Sequence, residues 1–267
     1  MRRATPWIAA ALCALGAGAA RAESAMLLPV PDAFGAIDGG TFDATGHRVG
    51  EAKMSVAKLP DGHIELLARS GIEGSARSQA SAVMELAEEG RALRLLSQRS
   101  ESFDEHGASL GVLSIDHTSR TARCAAPSGS GGADQEIGLP PLDHVVNVPL
   151  NLLFQQLASG ATQEVAFQLL VCRFGARLVD ARAELASAAA SGGLVEVRTQ
   201  FDLGPLLSSV AAPFLPTLSF WFDRAHPGTW VAHRMPLFSK GPTVLVVRSG
   251  VSPAELMPAV GAGPSGL

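Results

Sequence analysis

Gly107-Ala108-Ser109-Leu110-Gly111 matches the G-x-S-x-G pattern, which sets a serine nucleophile on a strained turn between a strand and a helix and performs acyl transfer. The residues that follow, Val112-Leu113-Ser114-Ile115-Asp116, alternate as a strand where the elbow needs a helix. A hairpin turn is the better reading, and a secreted serine hydrolase using Ser109, with one of seven histidines as base, is the alternative. Asp116-His117 and Asp143-His144 place acid beside base, but strand neighbours point to opposite faces and cannot bond directly. His226, His233 and Asp223 have the donor types for zinc, yet Pro227-Gly228 reads as turn chemistry and Arg224 and Arg234 repel a cation. Glu88-Glu89 and Glu101, Asp104 and Glu105 fall at expected hairpin ends, where a hydrated face explains them. Pro127 to Ala133 is Gly- and Ser-rich but lacks the Lys-Ser/Thr ending of a phosphate loop. No catalytic residue, metal or cofactor is therefore expected.

Two cysteines, Cys124 and Cys172, remain beyond an N-terminal export signal. That signal is Met1 to Ala22: Arg2 and Arg3, an apolar run from Trp7 to Leu15, then Ala20-Arg21-Ala22, the pattern of a cleavable secretory peptide. In an oxidising compartment an even cysteine count invites a disulfide, with two buried thiols as the alternative. The net charge is −4 with the signal included, and the signal's arginines leave with it, so nucleic acid is not an expected partner. An apolar content of 47% is enough for a true core. Tyrosine is absent and aromatics make up only 5%, so each Phe and Trp weighs heavily in that core.

The elements that must carry these residues are mostly strands. The exception is the stretch from Asp143 to Gly160, where Leu150, Leu153, Phe154 and Leu157 share one helical face. Asn147 can cap this helix, Pro149 suits its first turn and Gly160 can end it. So short an apolar helix needs a surface to bury it. Residues 23–39 read as an irregular Pro- and Gly-rich lead-in. From 40 to 250 runs a single antiparallel domain, in which strands at Lys53 to Leu59, from Ile64, through Ala80 to Leu86, at Leu93 and Leu95, and at Leu113 and Ile115 are separated by turns such as Pro60-Asp61-Gly62. After the helix, Val165 to Val171, Val179 to Leu185 and Val195 to Phe201 alternate cleanly. Pro205 to Ala212 reads as a second short helix, and residues 251–267 as a flexible tail. Phe220 and Phe222 share a face with Leu218, while Trp221 falls on the other face, where it would meet water, a second layer or an envelope partner.

The fold class that follows is mainly β (α+β): a curved antiparallel half-barrel meander wrapped around one central helix. Leu93-Arg94-Leu95-Leu96-Ser97-Gln98-Arg99, Val148-Pro149-Leu150-Asn151-Leu152-Leu153, and Phe220-Trp221-Phe222-Asp223 leading to Gly241-Pro242-Thr243-Val244-Leu245-Val246-Val247-Arg248 resemble an uncharacterised group of exported bacterial β-sheet proteins. That group is similar in outline to the periplasmic lipoprotein-carrier fold. The resemblance implies a non-enzymatic periplasmic protein that shelters a lipid or other apolar ligand, or assists envelope assembly. Leu150, Leu153, Phe154, Leu157, Phe220 and Phe222 are the expected ligand-binding lining. A structural envelope protein with a filled core is the further alternative.

Overall fold

The computed structural model describes residues 26–127, 129–141, 144–173, 175–186, 193–202, 218–238 and 240–256. The expected signal peptide, the second short helix expected at Pro205 to Ala212, and the tail from residue 257 lie outside the described residues. The strands are β1 (Leu27–Pro29), β2 (Gly35–Phe42), β3 (Arg48–Lys58), β4 (Ile64–Ile72), β5 (Ala76–Ala87), β6 (Ala92–Asp104), β7 (Ser109–Asp116), β8 (Thr121–Ala125) and β9 (Gln135–Gly138). The helix α1 (Leu150–Ala158) follows, then β10 (Glu164–Val171), β11 (Arg177–Leu185), β12 (Leu194–Asp202), β13 (Leu218–Asp223), β14 (Trp230–Pro236) and β15 (Thr243–Arg248).

All fifteen strands among the described residues belong to one curved, open sheet in the order β10-β11-β12-β13-β14-β15-β2-β3-β4-β5-β6-β7-β8-β9, with β1 added against β6. Every strand pairing is antiparallel, as the hairpin spacing predicts. Besides β1 on β6, the pairing that joins strands far apart in the sequence is β15 on β2, where early and late parts of the described chain meet. There Gly39 lets the backbones close up, since a Cβ at this position would lie 2.5 Å from Val247 O.

This junction corrects the reading of residues 23–39 as irregular. The glycines and prolines that suggest a loop instead serve a short strand ending at Pro29 and a close strand approach at Gly39. The tail is corrected in part as well, because Pro253–Glu255 forms a 3-10 turn and Leu256 is buried.

Aspartates close the hairpins. Asp43, Asp61, Asp104, Asp116 and Asp223 each accept a hydrogen bond from the backbone N–H two residues on, at 2.7–3.0 Å. Asp116 also accepts from Thr118 Oγ1 at 2.6 Å and Ser119 N at 3.0 Å, and these bonds, led by Thr118, pull its carboxyl down to about 2. Asp104, Asp116 and Asp223 are thus taken up in turn chemistry.

Candidate functional site

The helix is positioned by two amide side chains. Gln98, buried on β6, donates from Nε2 to Val145 O at 2.7 Å and accepts at Oε1 from Asn147 N at 2.7 Å and Val148 N at 2.8 Å. Its Nε2 also lies 2.7 Å from His117 Nε2. Asn147 does the same toward the other side, donating from Nδ2 to Leu170 O and accepting at Oδ1 from Leu170 N, both at 2.9 Å. Together they imitate strand pairing and hold the segment before α1 between β6 and β10, where Val145 makes a parallel bridge with Gln168.

Asn147 therefore does not cap the helix. The N-cap is Pro149, which has no side-chain cap bond, and α1 relies on packing rather than capping. Gln98→Ala leaves three backbone groups without their partner, and is expected to cost about 2–3 kcal/mol in urea denaturation, as water enters the space only in part.

Seven of the nine residues of α1 are buried, including Asn151 and Gln155. The periodicity indicates one apolar face; the polar side chains are buried because they find partners. Asn151 Nδ2 donates to Met54 Sδ at 3.4 Å and Gln155 Nε2 to Gly228 O at 2.7 Å. The helix lies against β1 and β10 to β13. Leu150, Leu153, Phe154, Leu157, Phe220 and Phe222 all fall in one core cluster, none more than 4% exposed. The expected lining residues are thus brought together, as mutually packed core.

Phe154 meets Phe167 and Phe220 edge to face, with centroids 5.6 and 5.0 Å apart. The string continues from Phe220 through His233 to Trp230, at 5.3 and 5.4 Å. Burial among these rings pushes the His233 imidazole down to about 4, although its residue as a whole keeps some accessible surface. Trp230 Nε1 and Thr199 Oγ1 are buried with no hydrogen-bond partner among the described residues.

Beside this closed core runs a row that α1 leaves half covered. Ile37, Met54, Ala68, Ala80, Ser100 and Leu113 are successive register partners across β2 to β7, and each is only partly buried. Ile37, Met54, Ala68 and Ala80 pack against the same core cluster as α1. The row is apolar from Ile37 to Ala80 on the inner face of the sheet; Ser100 then interrupts it, and Leu113 packs against the cluster around the disulfide. Sequence reading misses it because alternation marks the inner face of each strand without saying which part of that face the helix reaches.

The remaining candidates are dispersed. Ser109 opens β7 opposite Phe103 and accepts from Gly111 N at 3.2 Å, so the motif is a turn running into a strand. Asp223 Oδ2 is 3.7 Å from His226 Nδ1 at the β13–β14 turn, whereas His233 belongs to the interior ring string. Cys124 on β8 and Cys172 just past β10 are joined, with Cα atoms 5.6 Å apart. A disulfide fits an oxidising, exported environment.

Of the settings expected for Trp221, a second layer is the one found. The residue does fall on the face opposite Phe220 and Phe222, but is only 4% exposed, in a second cluster with Leu194, Val231, Ala232, Leu245, Val247 and the tail residue Leu256. The second layer over it is the chain's own C-terminal segment, so no exposed indole is offered to a partner.

Two concavities stand out. A groove of about 850 Å³ runs over β3 to β6 and includes Lys53, Arg69 and Arg77, and a smaller one of about 290 Å³ lies between β6, the β7–β8 turn and Val145. Neither is lined by the six core residues named above. Among the described residues no helix is long and apolar enough to cross a membrane.

Sheet, helix and disulfide define a mainly β protein built on one curved antiparallel sheet. No protein-family model matches the chain, and no curated protein does. Among solved structures it is similar to a β-barrel-like protein of the domain of unknown function DUF1849 from Brucella abortus. That match covers 84% of this chain and 97% of the other at 10% identity, with a TM-score of 0.43.

Proposed function

We propose that this chain is an exported, non-enzymatic β half-barrel of the periplasm that shelters an apolar ligand, such as an acyl chain, between the inner face of its sheet and α1. The observation that carries the reading is the half-covered row Ile37, Met54, Ala68 and Ala80 beside an otherwise closed core. Apolar side chains on the concave side of a sheet gain by being covered, at about 25 cal/mol per Å² removed from water, and an acyl chain laid along the row supplies that cover. Leu150, Leu153, Phe154, Leu157, Phe220 and Phe222 form the wall behind the row, and a ligand reaches them only as α1 shifts. The resemblance of the sequence to exported bacterial β-sheet proteins that are similar in outline to the lipoprotein-carrier fold supports the same reading. The strand that follows Ser109 favours a binding protein over a hydrolase.

Native mass spectrometry of protein purified from its own compartment tests the proposal. A co-purifying lipid-sized mass that organic extraction removes is expected; a bare polypeptide mass from gently handled protein would count against it.

A further inference from the structure

We propose that four serines on the inner face of the sheet, Ser70, Ser78, Ser100 and Ser102, form the polar end of the ligand site and take an uncharged, hydrogen-bonding head group such as a glycerol ester. The inference rests on the reading of Ile37, Met54, Ala68 and Ala80 as an acyl site, and adds the kind of lipid and the direction in which it lies.

Strand register brings the serines together. Ser70 on β4 is opposite Ser78 on β5, and Ser78 is opposite Ser102 on β6. Ser100 is opposite Ala80, so it stands at the end of the apolar row. Side chains directly opposite on one face have Cβ atoms about 5 Å apart and diagonal neighbours about 7–8 Å apart, so one small head group can touch several of these hydroxyls.

Alternation puts all four on the inner face. Ala68 and Ile72 flank Ser70 at two-residue spacing, Ala76 and Ala80 flank Ser78 likewise, and all four flanking residues pack against the core cluster. Gln98, two residues before Ser100, reaches inward to Val145 O. The outer face of the same strands carries charged side chains, Arg69, Arg99 and Glu101, the last two paired at 2.9 Å. Solvation of an outer face therefore does not account for the serines.

Nor does internal hydrogen bonding. Ser102 is only 5% exposed, and none of the four hydroxyls has a hydrogen-bond partner among the described residues. A buried hydroxyl without a partner is costly, and a ligand oxygen that bonds it removes the cost.

The charge of this face selects the head group. Neither the apolar row nor the row beside it, Gly39, Ala52, Ser70, Ser78 and Ser102, contains a lysine or arginine. The residue that follows Ser102 on this face is Asp104, opposite Ala76, and its Oδ1 accepts from His106 N and Ala108 N. A carboxylate or phosphate among the serines meets a like charge and no cation, whereas hydroxyl and ester oxygens bond serine hydroxyls without that penalty. The acyl tail then runs from Ala80 on β5 toward Ile37 on β2, a span of about 14 Å at the usual strand spacing.

Delipidated mature protein is titrated calorimetrically with monolauroylglycerol and with laurate, which has the same chain but an ionised head. The double variant Ser78→Ala/Ser102→Ala is compared with Ser81→Ala, which removes a hydroxyl from the outer face of β5. Laurate is expected to bind through the row alone, at least about tenfold more weakly than monolauroylglycerol. The double variant is expected to weaken monolauroylglycerol about tenfold and leave laurate unchanged, and Ser81→Ala to change neither. Laurate bound by wild type as tightly as monolauroylglycerol, or a folded double variant with wild-type affinity for monolauroylglycerol, overturns the head-group site and leaves the apolar row standing. Absence of binding by both lipids overturns the row, and the head-group site with it.

Discussion

Phe154→Ala is expected to lose about 3–5 kcal/mol of folding free energy in chemical denaturation, the range for truncating a fully enclosed aromatic. Phe154 is 0% exposed and its ring touches both Phe167 of β10 and Phe220 of β13, so the substitution removes area burial and two edge-to-face contacts at once. Its neighbours are held by the sheet and cannot collapse far into the space. Half-covered Met54 provides the contrast, because Met54→Ala removes a side chain that water already reaches and is expected to cost clearly less. A loss at Phe154 no larger than that at Met54 would mean that the helix is not packed as described.

Replacing Cys124 and Cys172 together by serine is expected to cost about 4 kcal/mol by the chain-entropy estimate for partners 48 residues apart. The position of the bond gives it a further role. Strand order runs from β10 at one edge to β9 at the other, and the bond ties β8, next to β9, to the residue just beyond β10. Around it Leu139, Val145, Leu170, Ile115 and Ala122 form a small apolar cluster, and Ala176 N donates to Gln135 Oε1 at 2.8 Å. Urea denaturation of the double variant, and of wild type with reductant, reads the effect. A wild type whose midpoint does not move on reduction would contradict it.

Most of the strands are legible in the sequence because one face of the sheet is apolar and the other hydrated, which makes period-2 alternation the dominant signal. Val165, Phe167 and Leu169 on β10 and Val179 to Leu185 on β11 follow it closely. The helix is legible from its leucines, and the cysteine pairing from their number and compartment. What escapes is long-range. The junction of β2 with β15 needs Gly39, a residue that out of context marks a loop. The cover over Trp221 comes from Leu256, in a tail whose composition suggests only fraying. Gln98 and Asn147 each satisfy backbone groups of distant segments, and nothing local marks either one, so Asn147 reads as a helix cap. The apolar row is invisible for the same reason: its half-covered state depends on where α1 stops.

The central claim is that the row beside α1 holds an apolar ligand, and a fluorescent fatty acid titrated into delipidated protein tests it most directly. Wild type is expected to bind saturably, and Met54→Asp, which puts a charge in the middle of the row at a partly exposed position, is expected to keep its fold by circular dichroism and bind at least about tenfold more weakly. Absence of saturable binding by wild type, or equal binding by a folded Met54→Asp variant, would contradict the account and leave a β-sheet protein whose core is filled by its own helix.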